Sequence, residues 1–548
     1  MNAKRLIILT TLITLLLTAC APAATPTTIG QVPLPTQAPA ATQLAEAPRQ
    51  DQSGAPTGTY APTAGELAAA TAAPGQIGGS APISPVYPTP APTQPVDMFF
   101  QNYGVNPFVD AREDHLSTFA IDVDTAAYSL ARNYVQQGQL PPADAIRVEE
   151  FVNYFRQDYP LPPDVAFGLY ADGAPSPYQP DGSMIVRFGV QGYRVPEAQR
   201  QPLNLTLVID VSGSMSDGGR LELVKQAVQL LVDRLTAADN LAVVAYSTEA
   251  RVVLQPVSGS DRNTILNAVY GLYPENSTNA EAGLQLGYQM AQLMYRPAAV
   301  NRVILLSDGV ANVGATGPGA ILESIGAAAR DYGIKLTSVG VGMGNFNDVL
   351  LEQLADQGDG NYAYVDDLDE ARKLFVEKLV STLQVIALDA KIQVDFNAEV
   401  VAQYRLIGYE NRAVADQNFR NDAVDAGEIG AGHTVTALYA VQLRPGATGR
   451  LATLQLRWQD PQTFAVSEIN GNVNTWDLAP AFEQASARYQ LAVTVAQYAE
   501  LLRRSPWAQG SSLAQVSGYA NRIAQAFPED ADVQEFAQLV NRAWQLGW

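Results

Sequence analysis

Hydrophobic positions along the chain fall into two rhythms. Between residues 200 and 385, short apolar runs alternate with stretches whose apolar residues recur at helical spacing. Leu203–Asp210, Asn240–Ser247, Ala250–Pro256, Val303–Leu306, Lys335–Val341 and Asn361–Val365 read as strands. Leu221–Leu235, Arg262–Leu272, Ala280–Met294, Ala320–Asp331, Val349–Asp356 and Leu368–Leu383 read as helices. Strands alternating with helices predict a mainly parallel sheet covered on both faces. The short turn before Ala250–Pro256 predicts an antiparallel edge strand.

The flanks follow a different rhythm. Phe167–Tyr170 and Met184–Val190 read as short strands, and a helix is predicted at Ile146–Phe155. Past the block, Lys391–Phe396, Tyr404–Tyr409, Thr434–Leu443 and Leu451–Trp458 alternate as antiparallel strands. Helical periodicity returns over Phe482–Leu502 and Leu513–Leu546. The ends of a doubly wound insert are often close, so strands from 165–195 are expected to pair with those from 388–458 in one β-sandwich. Ile121 and Val123 alternate with Asp122 and Asp124. They are read as a strand edge whose acids are solvated or cap a helix at Thr125, with a second metal site as the alternative.

The amino end is patterned for export. Lys4 and Arg5 precede an apolar run from Leu6 to Leu17, followed by Leu17-Thr18-Ala19-Cys20. The run is shorter than the ~20 residues a spanning helix needs, so residues 1–20 are set aside as a signal peptide. The cleavage site resembles a bacterial lipobox, which implies lipid attachment at Cys20. Because Cys20 is the only cysteine, no internal disulfide is possible. Residues 21–97 are rich in Pro, Ala and Thr, with too little apolar periodicity to order, and are expected to be a disordered linker. Its extended reach is on the order of 200 Å, enough to lift a folded head off a membrane.

Candidate chemistry is concentrated at strand ends. The strand Leu207-Val208-Ile209-Asp210 runs into Val211-Ser212-Gly213-Ser214-Met215, delivering a carboxylate and two hydroxyls to one turn. A polar loop, Asn276-Ser277-Thr278-Asn279, enters a helix, and Leu305-Leu306-Ser307-Asp308-Gly309 ends another strand. Hard oxygens of this kind suit Mg²⁺ or Mn²⁺. In such sheets ligands sit outside the carboxyl ends of strands, where Asp210 and Asp308 both fall. Over residues 200–385 these words resemble the von Willebrand factor type A domain. Asp210, Ser212, Ser214, Thr278 and Asp308 match that family's metal-ion-dependent adhesion site. The resemblance implies that Ser212, Ser214 and Thr278 touch the metal through hydroxyls, while Asp210 and Asp308 act largely through water. It further implies that a partner's Asp or Glu fills the position left open. Thr278 is preferred to Ser277, which is read as a turn residue. Words around Ser117–Tyr128, Tyr404–Arg412 and Asp425–His433 resemble the amino-terminal extension and carboxyl-terminal domain of bacterial lipoproteins that carry this domain.

Charge and nucleophile content narrow the function. The chain has 34 Lys+Arg against 55 Asp+Glu, a net charge of −21, and no basic stripe, which disfavours nucleic acid. Its two histidines, His115 and His433, lie in different flanks, so Ser214 has no base within the central block. There is no Gly-x-x-x-x-Gly-Lys phosphate loop, and Gly340-Val341-Gly342-Met343-Gly344 lacks dinucleotide spacing.

The sequence therefore predicts an α/β fold: a doubly wound, mainly parallel sheet inserted between flanks that form a β-sandwich plus helices. Its expected parts are a signal peptide (1–20), a linker (21–97), an amino-terminal extension (98–199), the A domain (200–385) and a carboxyl-terminal β-sandwich and helical domain (386–548). The expected function is non-enzymatic: a lipid-anchored, extracytoplasmic binding protein of the cell envelope that captures a protein partner's carboxylate through Mg²⁺ or Mn²⁺. A structural scaffold whose metal only stabilises the fold is the alternative.

Overall fold

The structure is a computed structural model of the full chain. It describes residues 26–33 and 100–547, apart from 122–123, 163–164, 180, 276, 310–331, 343–347, 357, 359, 379–382, 423 and 425. The signal peptide with Cys20, most of the linker, Asp122 and the expected helix Ala320–Asp331 lie outside the described residues. The described residues all belong to one compact unit.

The amino-terminal part supplies β1 (Thr27–Pro33), β2 (Val109–Asp110), β3 (Leu116–Ala120), α1 (Ala126–Gln136), α2 (Val148–Tyr154), β4 (Val165–Pro175) and β5 (Met184–Gly192). The central block follows with β6 (Leu203–Asp210), α3 (Arg220–Val232), β7 (Asn240–Tyr246), β8 (Ala250–Ser258), α4 (Arg262–Tyr270) and α5 (Ala280–Leu293). It continues through β9 (Val300–Ser307), β10 (Lys335–Val341), α6 (Asp348–Asp356), β11 (Tyr362–Val365) and α7 (Leu368–Arg372). The carboxyl-terminal part holds β12 (Val385–Phe396), β13 (Val401–Ile407), β14 (Ile429–Gly430), β15 (Thr434–Leu443), β16 (Arg450–Gln459) and β17 (Val466–Asn474). Three helices end it: α8 (Ala487–Leu502), α9 (Leu513–Ala526) and α10 (Ala531–Gln545).

The central sheet has the order β11-β10-β9-β6-β7-β8, parallel except for β8, which is the expected antiparallel edge. Its strands are apolar on both faces because each face meets a helical layer. Leu205, Leu207 and Ile209 join the cluster under α3, while Val208, Val244 and Val303 join the one under α5.

Both flanks build the sandwich together. One sheet runs β1-β4-β5-β15-β13-β2, and the other runs β14-β12-β16-β17 with β3 paired to β12. β5 and β15 pair along Met184–Gln191 and Thr434–Val441, joining segments more than two hundred residues apart. Apolar side chains of both sheets, among them Phe167, Phe188, Val394, Tyr439 and Leu454, form the shared core. On the outer face, α2, α8, α9 and α10 gather a second core around Phe151, Tyr489, Tyr498 and Phe536.

Several expectations need correction or refinement. Thr27–Pro33, assigned to the linker, is a strand on the edge of β4. Thr27, Thr28, Ile29 and Val32 are strand formers, and the prolines around them mask that signal in a sequence reading. The helical periodicity over Leu513–Leu546 resolves into two helices, because Pro528 cannot continue the first. The expected helix Leu368–Leu383 turns π-helical at Lys373–Glu377. Asp124 is not solvated: it is buried, accepts from the Tyr362 amide at 3.1 Å and pairs with Arg412 at 3.3 Å. Nor does Thr125 cap α1 with its side chain; instead Glu150 receives the Ala127 amide at 2.7 Å.

Candidate metal-ion-dependent adhesion site

Asp210 ends β6 at the centre of the sheet and is fully buried. Its Oδ1 accepts the Ser212 amide at 2.8 Å, folding the chain back at once. Its Oδ2 accepts from Ser307 Oγ at 2.8 Å and from Tyr246 Oη at 3.2 Å. Neighbouring strand ends therefore hold the carboxylate in one orientation. Burial, and then the nearby Asp308 carboxylate, push the Asp210 carboxyl up to about 6.

Ser212 stands at the start of a short helical turn, Gly213–Gly219, yet its side chain caps no backbone amide there. Its Oγ lies 3.1 Å from Ser214 Oγ. At hydrogen-bond distance, each hydroxyl is turned toward the other rather than toward the local backbone, where turn serines normally bond. Two adjacent ligands on an octahedral ion with ~2.1 Å bonds would be separated by about 3.0 Å.

The threonine loop is drawn to the same edge by backbone bonds. The Glu275 amide donates to Val211 O at 2.6 Å, and the Asn279 amide to Ser247 O at 2.7 Å. Asn279 then caps α5, its Oδ1 accepting the Ala282 amide at 3.1 Å. Thr278, the residue before that cap, is 2 % exposed. Asn276 lies outside the described residues.

Asp308 follows β9 directly and is 1 % exposed. Arg220, the first residue of α3, donates from Nη1 to Asp308 Oδ2 at 3.0 Å and to Ser214 O at 2.8 Å. The guanidinium reaches in across Gly342, where a Cβ would sit 2.7 Å from Arg220 Cγ. The structure thus brings Asp210, Ser212, Ser214, Thr278 and Asp308 to the carboxyl edge of one sheet. The sequence reading missed Arg220, Tyr246 and Ser307. Ser307 adjoins a chosen acid and Arg220 follows Ser214 by six residues, but Tyr246 is distant from Asp210 and Arg220 from Asp308, and only the fold brings those pairs together.

This donor set fits a small hard cation. Two buried carboxylates stand at the same strand ends as two serine hydroxyls 3.1 Å apart, and one carboxylate already carries the Arg220 cation. Among the described residues, no group of three or more His, Cys, Asp or Glu could hold a metal ion.

Both sheet order and site define a von Willebrand factor type A domain protein, and the von Willebrand factor type A domain model matches residues 204–378. A second model, described as von Willebrand factor, matches 94–186, and one described as "Uncharacterized protein YfbK, C-terminal" matches 381–546. The chain belongs to the family of the Escherichia coli (strain K12) protein YfbK. It is 34% identical to that protein over 471 residues, 81% of this chain and 80% of that one. It is also 26% identical over 339 residues to the Synechocystis protein sll0103, covering 60% of this chain and 77% of that one. Among solved structures, a von Willebrand factor type A protein from Catenulispora acidiphila aligns over 69% of this chain and 90% of its own, with a TM-score of 0.39 and 16% identity.

Proposed function

We propose that this protein is a lipid-anchored binding protein of the cell envelope that captures an acidic side chain of a protein partner at its adhesion site. The observation that carries the reading is the pair of serine hydroxyls 3.1 Å apart beside the buried Asp210 carboxylate. Ser212, Ser214 and Thr278 would hold Mg²⁺ or Mn²⁺ through neutral oxygens, with Asp210 and Asp308 behind them. A cation so held keeps much of its charge and attracts an outside carboxylate. Arg220 fixes Asp308 and neutralises one of its oxygens. Tyr246 and Ser307 fix Asp210. Both histidines, His115 and His433, lie outside the A domain, so no imidazole base stands beside the site's hydroxyls, and this supports binding over hydrolysis. The anchor is Cys20, acylated after signal cleavage. No described helix is long and apolar enough to cross a membrane.

Titration calorimetry on the purified protein tests the site. A single divalent-ion site of modest affinity is expected, and Asp210→Ala, Ser212→Ala and Thr278→Ala should each weaken it at least tenfold. In a pull-down from solubilised membranes, capture should require Mg²⁺ and be lost in the same variants. No ion binding by an intact fold, or undiminished capture by the variants, would refute the reading. Unfolding on chelation would favour the scaffold.

A further inference from the structure

Thr27–Pro33 pairs antiparallel with β4, from Thr27 opposite Ala171 to Pro33 opposite Val165. The register slips between Thr28 and Gly30, so Ile29 is the extra residue of a bulge. Bulged there, Ile29 packs on the sandwich core. It also meets β17, the edge strand of the opposite sheet, at Gly471. A Cβ on Gly471 would stand 2.1 Å from the Ile29 carbonyl oxygen and 2.8 Å from its Cγ1. The slot between β4 and β17 is therefore shaped to the main chain of this segment. Without β1, the edge of β4 would be open to any strand. Pro33 ends the pairing where a missing amide matters least.

We propose that the slot between β4 and β17 is a strand-binding site whose occupant is Thr27–Pro33 of the same chain, and that docking makes a short, oriented tether of the anchor. The tether rests on the reading of Cys20 as the lipidated terminus; the strand-binding site does not. Only residues 21–26 separate Cys20 from Thr27, a span of at most about 25 Å. With the strand docked, those six residues alone join Cys20 to the sandwich. With it released, the whole segment to Phe100 becomes tether, with an extended reach on the order of 200 Å.

Direction follows from the pairing. Thr27 lies toward the end of β4 that turns into β5. The chain leaves β5 for the A domain at the opposite end, through Gly192 to Leu203, and Asp210 lies at the far end of β6. The docked tether therefore leaves the sandwich at the end of β4 opposite the connection to the A domain.

Hydrogen exchange read by mass spectrometry on the full chain tests the strand. Amides of 27–33 should be protected in the wild type. Gly471→Val, which fills the slot, and Ile29→Asp, which removes its plug, should each reduce that protection on the order of 100-fold. The double variant should lose no more than either single one, and β12 and β16 should stay protected in all three. Free exchange of 27–33 in the wild type overturns the proposal. So does protection that vanishes on dilution, since the occupant would then be a strand of a second copy. For the tether, acylated protein is placed on phosphatidylglycerol–phosphatidylethanolamine bilayers, and energy transfer is measured from a dye on the A domain to labelled lipid. Gly471→Val should move the head away from the surface, and equal heights overturn the tether while leaving the strand result standing. Absence of acylation at Cys20 by mass spectrometry would instead overturn the anchor.

Discussion

At the residue scale, two buried arginines show how partners decide what a buried charge does. Arg187 on β5 is fully buried and faces Asp172 on β4, gripping it with Nε at 2.9 Å and Nη2 at 2.6 Å. Gln157 takes Nη1 at 3.0 Å, and Tyr159 lies 5.1 Å beneath the guanidinium. Arg302 on β9 is as buried, but only its Nη1 is bonded, to Thr337 at 2.7 Å and Asn361 at 3.2 Å. Its Nε and Nη2 have no partner, and burial pulls its pKa down to about 10. Removing one member of a buried pair leaves an uncompensated charge, whereas removing an uncompensated cation relieves one. Arg187→Met is expected to lower stability by about 3–5 kcal/mol, and Arg302→Met by less than about 1 kcal/mol or not at all. Urea unfolding of the two variants checks the contrast, and equal losses would defeat the argument. A sequence shows two arginines in apolar strands and cannot tell which has found a carboxylate.

At the scale of elements, the turn between β14 and β15 carries a proton-linked test. His433 is partly buried there, its carbonyl receiving the Gly192 amide at 2.9 Å. Burial, and then the Lys378 ammonium, pull its pKa down from 6.5 to about 4. Between those values the unfolded chain binds a proton that the folded chain refuses. His433 thus lowers stability as pH falls from about 6.5 to about 4, by roughly 1–2 kcal/mol after allowance for its partial exposure. His433→Gln should flatten that part of a stability–pH curve measured by thermal unfolding; an unchanged slope would assign it to other groups. Elements also show what periodicity can convey. β15 is found at Thr434–Leu443 as expected, because its alternation is complete and turns bound it. β17 was missed because its outward face is polar and Asn-rich, and its strand character comes from pairing with β16. β1 was missed because seven residues between prolines offer no period to read.

At the scale of the whole molecule, the sandwich is a long-range object. β12 needs β3, β13 needs β2, and β15 needs β5, all from the amino-terminal flank. A fragment of residues 388–480 therefore exposes open edges on both sheets. It should associate or aggregate on size-exclusion chromatography and lack a cooperative urea transition, and a soluble, cooperatively unfolding fragment would count against shared sheets. The A domain is clasped to its flanks by buried ions. Arg132 of α1 pairs with Asp366 and Glu370, and Arg147 pairs with Glu352 at 2.7 Å. Asp124 belongs to the same seam, which is why its acid is structural.

The sequence by itself determined the doubly wound central sheet, its antiparallel edge and the five oxygen-bearing residues that the fold gathers at one edge. Those features are local: a strand's apolar run, its terminal acid and the following turn lie within ten residues and carry their own periodicity. Tertiary structure alone decided that Arg220 sits on Asp308, that Asp124 is buried, and that Thr27–Pro33 leaves the linker to close the sandwich. Each depends on a partner far away in the chain, and a buried charge or an edge strand acquires its role only when folding supplies that partner.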